Sequence, residues 1–238
     1  MRRSPWVLFA AAGGVAVLGF ATAAPASGAA TTLLASWQMN EGAGATTMVD
    51  ASGNGLHGTI GSAVQTGVAF DSSNLGYRWS KTNPNEAPAK PERLVTVNNS
   101  KLNPGTRDFA VTIRYRTTHS YGNIVQKGQA GSAGGYWKLQ APQGVLSCLF
   151  RGASGSRSVN AGVALNDGAW HTVRCERTAT GVTMTIDGTR IRRATGATGN
   201  ISNTAPLSIG GKYKCDQVKI TCDYFSGDID YLRVEVGS

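Results

Sequence analysis

Apolar and polar residues alternate in short runs along most of the chain: LLASWQM (33–39), RLVTV (93–97), FAVTIRYRT (109–117), YWKLQ (136–140), VLSCLF (145–150), WHTVRCER (170–177), VTMTIDG (182–188), PLSIGG (206–211) and IDYLRVEV (229–236). A period of two puts successive side chains on opposite faces of a strand, and the 3.6-residue period of an amphipathic helix is nearly absent. In FAVTIRYRT, Phe109, Val111, Ile113 and Tyr115 form one face, while Thr112, Arg114 and Arg116 form the other. One face therefore belongs to a core and the other to water. Clusters of Gly, Asn, Asp, Ser and Pro separate the runs, and many short strands at such spacing predict an all-β sandwich or barrel. Two segments resist strand assignment. SNLGYRWSKTNPNEAPAKPER (73–93) carries three prolines, and KGQAGSAGG (127–135) is glycine-rich. Both read as long loops on a β scaffold, a common place for binding residues.

The first thirty residues break the pattern. Arg2 and Arg3 precede an apolar run that ends in small residues with Ala-x-Ala-like sites, Ala21-Thr22-Ala23 and Ala24-Pro25-Ala26. This is the layout of a secretory signal peptide over 1–30. Residues 31–238 then form one domain, and no later stretch is apolar and long enough to span a bilayer. An exported, extracellular protein is expected. Loss of Arg2 and Arg3 with the leader lowers the formal charge from +9 to +7, a moderate excess that favours an anionic partner such as an acidic polysaccharide. The basic residues are scattered, so no nucleic-acid partner is expected. Four cysteines, at 148, 175, 215 and 222, read in an exported chain as disulfides. Cys148 shares a face with Leu146 and Phe150, and Cys175 shares one with Val173. The apolar parity of both predicts a cross-strand Cys148–Cys175 bridge, which leaves Cys215–Cys222 to close a short loop.

Five segments, in order, resemble the laminin G-like family of concanavalin A-type sandwiches. They are SWQMNEGAGATTMVDASGNGLHGTI (36–60), LNPGTRDFAVTIRYRT (102–117), NIVQKG (123–128), LNDGAWHTVRCERTATGVTMTIDGT (165–189) and FSGDIDYLRVEV (225–236). The resemblance implies a two-sheet antiparallel jelly-roll. It leaves function open, because the fold carries lectins, adhesion modules, glycan hydrolases and lyases alike.

Asp228 and Asp230 are the pair of carboxylates to test for chemistry. Glucanases of the same superfamily carry Glu-x-Asp-x-x-Glu on a strand, with two glutamates flanking the scissile bond. Here the aligned positions are Asp228, Asp230 and Arg233, and a guanidinium cannot protonate a leaving oxygen. No Gly-x-Ser-x-Gly elbow, His-Glu-x-x-His or phosphate-binding Gly-Lys-Ser/Thr is present, so no catalytic residue is assigned. A metal is the second possibility. DASGNG (50–55) has oxygen side chains at the first, third and fifth positions and glycine at the sixth, like the first half of a calcium loop. The parity of Asp228 and Asp230 with Leu232, Val234 and Val236 points both toward the apolar side, where a carboxylate needs a partner. The resemblance implies calcium joining the opening turn to the closing strand, held by Asp50, Asn54 and Asp228 in a structural role. For sugar recognition the candidates are Tyr77, Trp79, Tyr121, Tyr136 and Trp137, with Trp37 and Trp170 assigned to packing. The expectation is a secreted, monomeric, non-catalytic module that binds a polysaccharide or cell-wall glycan. An extracellular glycan hydrolase or lyase, and a protein-binding adhesion module, are the alternatives.

Overall fold

The computed structural model describes residues 1, 31–71, 74–82, 87–215 and 222–237. The leader read over 1–30, apart from Met1, lies outside them. In chain order the strands are β1 (Thr31–Trp37), β2 (Thr47–Met48), β3 (Gly58–Ile60), β4 (Gln65–Ala69), β5 (Leu75–Trp79), β6 (Val95–Val97), β7 (Phe109–Arg116) and β8 (Asn123–Lys127). They continue with β9 (Tyr136–Gln140), β10 (Ser147–Gly152), β11 (Gly155–Asn160), β12 (His171–Thr178), β13 (Gly181–Ile186), β14 (Arg190–Thr195), β15 (Leu207–Ile209) and β16 (Gly227–Gly237).

Two antiparallel sheets form the sandwich. The first runs β14-β13-β12-β7-β16-β5-β4, and the second β11-β10-β9-β8-β15-β6-β3-β2. The closing strand β16 organises the first sheet. It pairs with β7 along most of its length, with β5 at its beginning and with β1 at its end. The alternation read in FAVTIRYRT holds: Phe109, Val111, Ile113 and Tyr115 are fully buried, while Thr112, Arg114 and Arg116 are partly exposed. Phe109 of the first sheet meets Trp137 and Phe150 of the second, with ring centroids 5.4 and 6.4 Å apart. Each such buried side chain stabilises the fold by roughly 1.5–3 kcal/mol. Buried indoles keep a hydrogen bond: Trp37 Nε1 donates to the Leu56 carbonyl at 2.7 Å, and Trp79 Nε1 to that of Arg93 at 3.0 Å.

Several expectations need correction. The 73–93 segment contains β5, an inner strand of the first sheet, because Leu75–Trp79 pairs with β4 on one side and β16 on the other. The expected Cys148–Cys175 disulfide is present and joins β10 to β12, one strand from each sheet. Cys215–Cys222 closes the short loop as expected. Asp228 and Asp230 do not point to the apolar side. Ile229 pairs with Tyr115 and Tyr231 with Arg114, so Asp230 is the extra residue of a β-bulge. The bulge reverses parity: Ile229 and Leu232 both enter the core, and the two aspartates turn to the sheet's outer face.

Candidate functional site

Three groups of residues could carry function, and each is fixed by the sheets. The first is the outer face of the first sheet around the two aspartates. Asp228 accepts from Arg78 Nε at 2.7 Å and Nη2 at 3.0 Å, and from Arg116 Nε at 2.8 Å. Asp230 pairs with Arg114 and accepts from Asn74 Nδ2 at 2.8 Å. Both carboxylates are almost fully buried beneath their arginines. Trp170, assigned above to packing, lies over this layer rather than in the core. The Arg114 and Arg116 guanidinium carbons sit 4.6 and 4.8 Å from its ring centroid, and Phe70 meets it edge-on at 4.7 Å. Each arginine is thus held between an acid and an aromatic face. A carboxylate whose oxygens are spent on guanidinium groups is poorly placed to deliver a proton or attack a sugar.

The second group is the calcium set. Asp50 Oδ1 accepts from the backbone N–H of Ser36 and Ser52, both at 2.9 Å. Its Oδ2 accepts from Leu56 N at 3.0 Å and Ser52 Oγ at 2.8 Å. Burial alone would raise the Asp50 pKa, but these amides hold it below the usual carboxylate range. Asn54 Nδ2 donates to the Leu34 carbonyl at 2.9 Å. Asp50 bridges to Trp37, which faces Leu232, so Asp228 lies four residues further along β16. The structure therefore does not bring Asp50 and Asp228 together, and each of their carboxylate oxygens already accepts at least one hydrogen bond. As arranged, these residues do not fit calcium. They form an Asx-type anchor for the opening turn and an arginine clamp.

The third group is a cleft of about 510 Å3 on the outer face of the second sheet. Register aligns Thr96, Ser208, Gln126 and Lys138 across β6, β15, β8 and β9. Thr96 and Gln126 floor the cleft, the glycine-rich 128–133 loop walls one side, and Asn203–Pro206 with Tyr213 and Lys214 wall the other. The loop and the 202–203 segment approach closely enough that a Cβ on Gly134 would fall 1.7 Å from the Ser202 carbonyl, and Gly134 has φ +81°. Only glycine meets both demands. Asn203 fastens the two walls, its Nδ2 donating to the Gly135 carbonyl at 2.8 Å. Gln126 is 1 % exposed, and its Oε1 has no hydrogen-bond partner among the described residues. A buried amide oxygen without a donor costs about 1–3 kcal/mol.

Of the five aromatic candidates, Tyr77, Trp79 and Trp137 lie in the core at 2 % exposure or less. Strand parity puts their rings between the sheets, so they offer no face to a ligand. Tyr136 is nearly buried and lines a neighbouring hollow of about 470 Å3 that shares Ser132 with the cleft. Tyr121 is 39 % exposed, but it lines neither hollow. The aromatic at the cleft is Tyr213, 41 % exposed. The sequence did carry a signal for it: an aromatic between two lysines just before a short disulfide loop, KYKC. Gln126 stands out only as the polar position of NIVQK once the strand's faces are known.

Two antiparallel sheets in this order, packed through an aromatic core, define a concanavalin A-like sandwich. The Laminin_G_3 family model, described as the concanavalin A-like lectin/glucanases superfamily, matches residues 89–235, and the chain belongs to that family. No curated protein matches it. Among solved structures it is similar to domain 4 of AbnA, an extracellular GH43 arabinanase from Geobacillus stearothermophilus, in complex with arabinotriose. That match has 15 % identity and a TM-score of 0.59, covering 87 % of this chain and 93 % of that one. It is also similar to the binding domain of botulinum neurotoxin DC in complex with SialylT, at 13 % identity and a TM-score of 0.61, covering 85 % and 47 %. Domains LG4–5 of the mouse laminin α1 chain align at 23 % identity and a TM-score of 0.48. That alignment takes in 60 % of this chain, which spans 39 % of the laminin structure.

Proposed function

We propose that this chain is an exported, non-catalytic carbohydrate-binding module whose sugar site is the cleft on the second sheet. The observation that carries the reading is Gln126, a buried amide whose oxygen lacks a donor among the described residues, at the floor of a concave, polar hollow. A sugar hydroxyl supplies that donor. The amide and hydroxyl side chains of Asn98, Gln129, Ser132 and Thr204 surround it, and Tyr213 provides a ring for stacking. Lys214 at the rim suits a glycan bearing acidic groups. The two disulfides support an oxidising, extracellular location. The arginine clamps on Asp228 and Asp230, and Arg233 in place of the third glucanase acid, support binding over hydrolysis.

The test is a glycan array followed by calorimetric titration of the best glycan. Gln126→Leu and Tyr213→Ala should each weaken binding at least tenfold with the melting temperature retained. EDTA should change neither affinity nor melting temperature. Release of reducing sugar from the bound polysaccharide would overturn the non-catalytic reading. Undiminished binding by both variants would remove the cleft as the site.

A further inference from the structure

One side of the sandwich is open where β14 ends the first sheet and β11 ends the second. Arginines stand there at positions that alternation assigns to the core side. Arg190 and Arg192 face Ile186 and Met184 in register, and Arg157 faces Phe150. Those three partners are core residues, so the arginines project into the gap between the edge strands. The strands pack close: the Arg157 guanidinium lies over Gly196, just past the end of β14, where a Cβ would come within 2.2 Å of it. Nearby is a cleft of about 370 Å3 lined by Ser158, Asn160, Ile191, Arg192 and Arg193.

No acid among the described residues neutralises this edge. Among the described residues, none of Arg157, Arg190, Arg192 and Arg193 is in an ion pair, whereas Arg78, Arg114, Arg116 and Arg174 all meet carboxylates. The sequence has no Asp or Glu anywhere in 109–166 or 188–215, the stretches that supply β11 and β14. Protection of an open edge needs an inward charge or two, usually lysine. Arg157, Arg190 and Arg192 share the gap without a counter-charge and repel one another, Arg193 adds to the same field from the other face of β14, and an anion placed among them relieves that cost. Arginine's planar fork matches a carboxylate or sulfate with two parallel hydrogen bonds. Ile191, 54 % exposed on the face of Arg193 and lining the same cleft, gives an apolar surface for the C–H face of a sugar ring.

We propose that the β11–β14 edge is a second binding surface, separate from the cleft floored by Gln126, for an acidic polysaccharide whose carboxylate or sulfate groups bridge the arginines of the two strands. The full chain is titrated with polygalacturonate, dextran sulfate and neutral dextran, as the native protein, as Arg190→Gln/Arg192→Gln/Arg193→Gln, and as the charge-matched control Lys90→Gln/Lys101→Gln/Arg233→Gln. All three edge side chains are exposed, and unchanged melting temperatures check the fold. The edge variant should bind at least one charged polymer ten or more times more weakly, and the control less than twofold. The salt dependence, as the slope of log K against log salt, should fall by about two in the edge variant. Preference for polygalacturonate assigns carboxylate, and preference for dextran sulfate assigns sulfate. Equal losses in variant and control would reduce the effect to net charge and overturn the proposal. So would duplex DNA that binds as tightly as the polymers and is lost with the same variant. Gln126→Leu should leave this binding intact, so the two sites fail independently.

Discussion

At the scale of single residues, two side chains do work their types do not announce. Asp50 looks like a metal ligand, yet it serves the backbone. It satisfies the amides of Ser36, Ser52 and Leu56 and ties the opening turn to β1. Asp50→Ala leaves buried N–H groups without acceptors and should cost about 2–4 kcal/mol in urea unfolding. Asp50→Asn keeps the shape but presents an NH2 to donors and should recover only part of that loss. His171 is the second. Its Nδ1 lies 2.9 Å from Asp187 Oδ2 and its Nε2 lies 3.1 Å from Asp167 Oδ1. Burial alone would lower its pKa, but the two carboxylates outweigh burial and raise it. A raised histidine pKa means that the folded state binds the proton more tightly than the unfolded one. Its contribution is complete below the unfolded value of about 6.5 and fades as pH climbs through the folded value. The melting temperature should therefore decline over that interval, and His171→Gln should flatten the decline.

At the scale of elements, alternation was legible wherever a strand has one wet face and one dry face, as in β7, β12, β13 and most of β16. It failed for three physical reasons. In β8 both faces are buried, the outer one beneath a cleft walled by Asn203–Pro206, Tyr213 and Lys214, so Gln126 resembles a core misfit until its surroundings are known. In β14 arginines occupy core-parity positions at an open edge, so RIRRAT carries no hydrophobic period. In β16 the bulge at Asp230 breaks the period of two, and parity counted back from Val236 puts the aspartates on the wrong face. The disulfides were legible as pairs, but the span of the longer one was not, because parity fixes a face and not a sheet. Cys148–Cys175 encloses a separation of 27 residues and ties the sheets together, whereas Cys215–Cys222 encloses 7. Loop entropy gives about 3.5 kcal/mol for the first and about 2.4 for the second. Under identical denaturant conditions, Cys148→Ala/Cys175→Ala should lose more stability than Cys215→Ala/Cys222→Ala. The reverse order would mean that the short loop, not the inter-sheet tie, restrains the unfolded chain.

At the scale of the whole molecule, the two sheets divide the labour. The first buries its acids under arginines and is closed by Trp170, and the second holds the polar cleft with Tyr213 at its wall. Tryptophan fluorescence can read this division. In a chain of residues 31–238, Trp37, Trp79 and Trp137 are at most 2 % exposed, while Trp170 is half-buried over Arg114 and Arg116. Acrylamide should quench one class of emission and leave the rest almost untouched, and Trp170→Phe should abolish the quenchable class. That substitution keeps an aromatic face for the arginines, so the fold should hold. A packed sandwich does not deform to transmit binding from one sheet to the other. Saturating the cleft with its glycan should therefore leave the quenching constant of Trp170 unchanged. Protection of Trp170 by the same glycan would move the sugar site to the first sheet, onto the Arg78–Asp228–Arg116 face.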